Sequence, residues 1–335
     1  ADSGAREVAE LASWLDSVSE TVTRTRTASG LKEAVADALR EIEARGTKAM
    51  LVLAQVAVAR ALGAVNLFED AYSMLEVAND DDSNDDDLKR AALSVEVELA
   101  TRQGMFIRAV RAADDLEALG PVADPAALMA IALARASSGD CARGLELLDY
   151  ADKIAPPIDE VDAGMRIKHR VLVHFNARDF AAASRAASKL ATIALSAGLR
   201  YEAAAALHNL GDASDRSGDH PRAYAAFVES LALSKQIDLE RLTNLNEMHP
   251  SLLDGLRNAE GAQERLAAHI RHADARGYLW DVLEGRFLLA RLASAHGDHD
   301  GARKHLLDVI ELSEKQGHEL IGQDARELLE RIEGG

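Results

Sequence analysis

The chain has 335 residues, a formal net charge of −18 and a pI near 5.0. So acidic a surface repels phosphate backbones, which argues against nucleic acid as a partner. The residues are 48% hydrophobic but only 4% aromatic, with six prolines. Burial must therefore be done by alanine and leucine on long helices, and an all-α fold follows.

Taken in order, residues 6–27 read as a first helix whose apolar stripe is Val8, Leu11, Leu15, Val18 and Val22, with Trp14 beside it to seal the open end. Gly30 separates this from a helix over 31–43, and Gly46-Thr47 opens an apolar helix that ends near Leu62. That run, Ala49 to Leu62, is broken by Gln55 and Arg60 and is too short to cross a bilayer. No signal peptide opens the chain, and the lone Cys141 excludes an intrachain disulfide. Both point to a cytoplasmic protein. The first residue is Ala1 rather than methionine, which favours a piece excised from a longer protein, although a processed terminus would look the same.

Helix pairs then follow one another to the C-terminus. A small residue recurs in the second helix of each pair, as Ala71, Ala109, Gly144, Ala183, Ala223, Ala262 and Ala302, at spacings of 35 to 40 residues. Five positions earlier a turn residue recurs as Gly104, Gly139, Gly218 and Gly297, with Asn66, Arg178 and Arg257 holding the same place in weaker copies. A small side chain is required where two helices cross closely. The repeat is clearest from Asn209 to Leu231. Leu207, Leu210 and Ala213 face inward, Gly218-Asp219 breaks the helix, and Ala223, Phe227 and Ser230 form the next inward face.

With Leu210-Gly211 in the first helix, Gly218-Asp219 at the turn and Ala223 and Phe227 in the second, the chain resembles the tetratricopeptide repeat (TPR) family of helix–turn–helix units, over roughly Ala49 to Arg331. The resemblance implies a right-handed α-solenoid of stacked antiparallel helix pairs. Residues 1–46 would be N-terminal helices capping the array, 47–317 about seven helix pairs, and 318–335 a C-terminal capping helix. The periods near 39 exceed the family's usual 34 and are similar to the long-period arrays of bacterial signalling regulators. Asn244-Leu-Asn-Glu-Met248, Arg276-Gly-Tyr-Leu279 and Glu284-Gly-Arg-Phe-Leu-Leu-Ala290 resemble arrays appended to bacterial serine/threonine kinases. No kinase motif is present.

His249-Pro250 falls inside an expected first helix and should kink or shorten it. Asp80 to Asp87 holds six carboxylates but lacks the Gly and Glu of a calcium loop, standing Asp85 and Ala91 at those places, so it reads as a solvated linker. His269 and His272, with His296, His299 and His305, lack the spacing of a zinc hydrolase and are better explained as turn and surface residues. Cys141 opens a helix, where a lowered thiol pKa is conceivable, but an ordinary turn residue is the simpler reading. The expectation is accordingly no catalytic residue, no metal and no cofactor.

The groove is the remaining candidate. In the TPR family the first helix of each pair lines the concave surface, and its exposed positions fall here on Lys168, Phe175, His208, Asp212, Asp215, Arg216, Glu247, Asp254, Glu284 and Arg291. The two aspartates speak against capture of a peptide's terminal carboxylate and for a mixed or basic segment. The expected function is a non-enzymatic protein-interaction scaffold, the recognition portion of a larger bacterial signalling protein. The alternative is a regulatory domain whose superhelix responds to a peptide or small molecule. The partner would be a protein, a peptide or a missing domain of the same chain, with no nucleic acid and no membrane.

Overall fold

The structure is a computed structural model and describes residues 10, 11, 13–15, 17, 18, 31–79 and 85–334. Described positions between 10 and 18 are helical; most of the expected first helix and five residues of the acidic run, 80–84, lie outside the described residues. From there the chain forms α1 (Leu31–Arg45), α2 (Lys48–Ala64), α3 (Phe68–Asn79), α4 (Asp86–Gln103), α5 (Phe106–Ala118), α6 (Pro125–Ser137), α7 (Cys141–Ile154) and α8 (Glu160–Asn176). There follow α9 (Phe180–Ser196), α10 (Arg200–Arg216), α11 (His220–Gln236), α12 (Glu240–Leu256), α13 (Ala262–Ala275), α14 (Leu279–Ala295), α15 (His299–Gln316) and α16 (Glu319–Gly334). Among the described residues there is no strand, and no helix is long and apolar enough to cross a membrane.

The chain divides into two compact units: Ala1–Gln103 with Arg108–Ile131, and Gly104–Ile107 with Ala132–Gly335. In the first unit Leu15, Ile42, Ala71, Leu75, Val95 and Leu99 form the centre of one core. Thr47 caps α2, its hydroxyl accepting from the Met50 amide at 3.3 Å, and α2 is buried on most of its faces, Gln55 included. Trp14 stays exposed rather than sealing an end; Leu15 beside it is the buried residue. Asp85 caps α4 through the Asp87 and Leu88 amides, so the described end of the acidic run starts a helix.

The second unit shows why the period is near forty. From α8 to α12 every helix has seventeen residues and every connection three, so one pair with its two turns makes forty. The middle residue of each turn is left-handed: Arg178, Gly198, Gly218, Asp238, and further on Gly277 and Gly297. Its following amide bonds back five residues, as Asp219 to Ser214 at 2.9 Å and Leu239 to Ser234 at 3.0 Å, closing the helix end. The two kinds of turn then differ. Within a pair, Asp179, Asp219 and Asp298 cap the next helix with their carboxylates. Between pairs, Leu199, Leu239 and Tyr278 take that place with no side-chain cap.

The recurrent small residues sit where the helices cross. Ala71, Ala109, Ala183, Ala223 and Ala302 are fully buried, and a Cβ on Gly144 would lie 2.8 Å from the Ala132 carbonyl oxygen. At the sixth pair the left-handed residue is Asn258, one later than the expected Arg257. A second left-handed residue, Gly261, makes that turn longer. Pro250 does not shorten its helix: α12 has the same seventeen residues as its neighbours. Buried Leu245, Met248, Leu252 and Leu253 hold it along its length, and the Ser251 hydroxyl satisfies the Glu247 carbonyl at 2.7 Å.

Candidate functional site

The first helices of successive pairs in the second unit are α8, α10, α12, α14 and α16. Steps of four and three along α10 place His208, Asp212, Asp215 and Arg216 on one face, and that face is buried. Arg216 is the hub. Its Nε lies 3.3 Å from Asp212, its Nη2 lies 3.7 Å from Glu284 of α14, and its Nη1 donates to Asp324 of α16. The rings of Phe175 and Phe287 lie 5.1 and 5.7 Å from the guanidinium carbon. Burial alone would push this guanidinium down, but the surrounding carboxylates outweigh it and hold it above its ordinary value.

Asp215 forms a second pairing. It accepts from Arg291 of α14 at 2.6 Å and lies 2.9 Å from the His220 ring. Burial would raise this carboxyl, and Arg291 outweighs burial and pulls it below the usual carboxylate range. Asp212 goes the other way, raised by burial and further by Asp215. Burial and then the Asp212 charge push Glu284 up to about 8.

Two histidines complete the cluster. A chain of hydrogen bonds fixes the first: Ser230 Oγ donates to the Ala204 carbonyl at 2.6 Å, and Asn246 Nδ2 donates to Ser230 at 2.8 Å. The Asn246 oxygen therefore faces His208, whose Nδ1 carries the proton across 2.9 Å. The second, His249 on α12, stacks on Phe227 with ring centres 4.3 Å apart and meets the edge of His208 at 5.2 Å. Burial, then His208, hold His249 well below its ordinary pKa, so it is neutral. Neither of its ring nitrogens has a hydrogen-bond partner, and neither has Oε2 of Glu284.

The final helix is tied to the earlier pairs by apolar contacts and by charge. Leu320 and Ile321 are buried, Ile321 beside Leu328 and Leu329 and Leu320 against Phe175, Ala183 and Ala213. Asp324 and Glu327, four and seven residues after Leu320, share its face and reach the earlier pairs beside its contacts with Phe175 and Ala213. Arg178 bonds Glu327 through both terminal nitrogens, at 2.7 and 2.9 Å, and lies 3.2 Å from Asp324. This gives Arg178 a second duty beside its left-handed turn, where glycine would be easier.

The groove residues expected from the TPR resemblance need correction. Phe175, His208, Asp212, Asp215 and Glu284 are buried rather than exposed, and the Arg216 side chain is nearly so, because the inner faces of these helices meet and pair many of their charged groups with one another. Arg291 is half-buried against Asp215, Asp254 lies 3.5 Å from Arg265, and Lys168 is half-buried on α8. Glu247 lines an open cavity of about 530 Å³ where α11, α12 and α13 meet. There it pairs with Lys235 at 2.7 Å and faces His269 at 3.7 Å; Glu240 meets His272 at 3.1 Å and Arg276 at 2.6 Å. His249, Asn246, Asp324 and Arg178 were missed as site residues. The signal for His249 was present as the His-Pro break, read for its backbone and not for its ring.

The other candidates resolve simply. His296 bonds the Gly255 carbonyl at 3.0 Å, and the five C-terminal histidines do not converge on one point among the described residues. Cys141 is half-buried, and burial and then Asp140 raise its pKa, the opposite of activation by a helix end.

No protein-family model matches the chain, and no curated protein does. Solved structures supply the likeness. A Rap protein complexed with competence and sporulation factor superposes with a TM-score of 0.66 at 14% identity, each chain covering 98% of the other. Aspartyl phosphate phosphatase F from Bacillus subtilis gives 0.53 at 9%, covering 97% of this chain and 93% of its own. A signal transduction ATPase with numerous domains, with a tetratricopeptide repeat sensor, from Pyrococcus horikoshii gives 0.51 at 16%, covering 96% of this chain and half of its own. The fold is a TPR-like helical repeat.

Proposed function

We propose that the chain is a non-enzymatic protein- or peptide-binding regulatory module, the recognition part of a cytoplasmic bacterial signalling protein. The observation that carries this is the end-to-end correspondence with a Rap protein solved with a bound factor, together with an open cavity edged by carboxylates. That cavity presents Asp238, Glu240 and Glu247 with Lys235, His269 and His272, and the exposed carboxylates at its edge favour a partner segment carrying lysine or arginine. The name of phosphatase F belongs to that protein; its likeness here extends to the fold.

Sensing of a bound peptide is favoured over rigid scaffolding by one feature. Arg178 and Arg216 tie α16 to α8 and α10 across more than a hundred residues of sequence. A ligand that competes for those arginines or carboxylates would release the clasp. The likeness to arrays appended to serine/threonine kinases agrees with such a role. The test is to pan random linear peptides against the purified chain at low and moderate salt and measure binding isotherms. Saturable binding of basic peptides, weakened at least about tenfold by Glu240→Lys with Glu247→Lys, is expected. Absence of any saturable binder at both salts would refute the reading.

A further inference from the structure

The charge inside the second unit does not balance. Arg291 answers Asp215, and Arg178 answers Glu327. Arg216 is left facing Asp212, Glu284 and Asp324, the last shared with Arg178 at 3.2 Å; with Asp215 and Glu327 counted, five carboxylates meet three arginines around a hub whose side chain is 8% exposed. Such an excess cannot stay ionised in a medium of low dielectric. It is met either by two protons or by a divalent cation.

Three of the groups at this point are placed as ligands. Asp212, His249 and Glu284, from α10, α12 and α14, each bring one ligand atom within 4.8 Å of the other two. Glu284 Oε2 and both His249 nitrogens are buried and lack any hydrogen-bond partner, which native structures seldom tolerate. We propose that Asp212, His249 and Glu284 bind one divalent transition-metal ion. Ligand atoms about 2.1 Å from a tetrahedral ion stand roughly 3.4 Å from one another, so side-chain movements of about 1 Å close the site. One imidazole with two carboxylates suits zinc or manganese; an all-oxygen ion such as calcium would leave the imidazole unused. Phe227, stacked 4.3 Å away, holds the His249 ring in place. The ion clasps three successive inner helices and supplies the two missing charges.

The test uses the full chain freed of metal with a chelator, then given Zn²⁺ or Mn²⁺, both as folded protein and during refolding, with Ca²⁺ as control. The expected result is one equivalent of Zn²⁺ or Mn²⁺ retained, release of protons on binding, and a Tm raised by roughly 5–10 °C at a hundredfold excess over Kd. Glu284→Gln, which resembles the protonated carboxyl in shape, should fold and bind at least about tenfold more weakly. Asp212→Asn serves the same purpose if that variant does not fold. X-ray absorption of the zinc-loaded wild type needs no variant and should show one imidazole among oxygen donors. No retained metal by either route overturns the proposal. So do unchanged affinity in both variants and two or more imidazoles on the ion, which place it at surface pairs such as His269 and His272.

Discussion

Replacing Arg216 by methionine tests whether the inner cluster is held by one hub. Methionine keeps the buried stem and removes the charge, leaving Asp212, Glu284 and Asp324 to face one another. Removing one partner of a buried ion pair costs about 3–5 kcal/mol, because the uncompensated charge stays buried. For a body of this size each kcal/mol moves Tm by roughly 2–4 °C, so a fall of about 6–20 °C is expected. Arg178→Met is the control. That side chain is 35% exposed, and its pairing should contribute only about 1 kcal/mol or less. Denaturant unfolding of both variants, each also combined with Asp324→Asn, measures the coupling directly. Arg216→Met and Asp324→Asn together should cost less than the sum of the two, by about 1–3 kcal/mol. Equal small losses for the two arginines, or strict additivity with Asp324→Asn, would refute the hub.

Two further outcomes follow from the same packing. His318 caps α16, its Nδ1 accepting from the Ile321 amide at 3.4 Å, and lies against Trp280 and Phe106; burial, then Arg216, hold its pKa down to about 3. Below the ordinary histidine range the unfolded chain takes a proton that the folded chain refuses, so stability falls as pH drops from about 6.5 towards 3, by up to about 1.4 kcal/mol per unit. His318→Asn keeps the cap acceptor and should remove one proton's share of that slope in unfolding curves taken across the window; an unchanged slope would count against the buried neutral ring. Gly211→Ala would place a Cβ 2.8 Å from the Phe227 ring, which is fully buried and stacked on His249. A loss of about 1–3 kcal/mol in denaturant unfolding is expected, and a neutral result would show that α10 and α11 can separate freely.

The fold was legible because its rules are local. Small residues at Ala183 and Ala223, the Asp179 and Asp219 caps and the Gly218 turn each follow from a few neighbouring residues, and repetition fixed the period. Turns without glycine were harder. Asp238 is left-handed although its neighbours give no sign of it, and Gly261 moved the sixth turn by one residue. The interior of the second unit could not be read this way. Arg216 and Asp324 are 108 residues apart, and no helical period brings them together. Family positions located the right face of α10 but assigned it to solvent, since burial depends on how closely the inner helices approach.

That approach changes what the acidic composition means. A chain with a net charge of −18 invites the reading of an open acidic groove awaiting a basic guest. Around Arg216 the guest is already supplied by the chain itself: one guanidinium occupies the place where a foreign one would sit, ringed by Phe175 and Phe287. Buried ion pairs of this kind are poor sources of stability, since well-packed apolar side chains of the same volume would do as well or better. Their useful property is discreteness. A carboxylate ringed by donors is either paired or badly unpaired, so Asp324 and Glu327 specify one seating of α16 on the earlier pairs, where the packing of Leu320 against Phe175 and Ala213 alone would tolerate several.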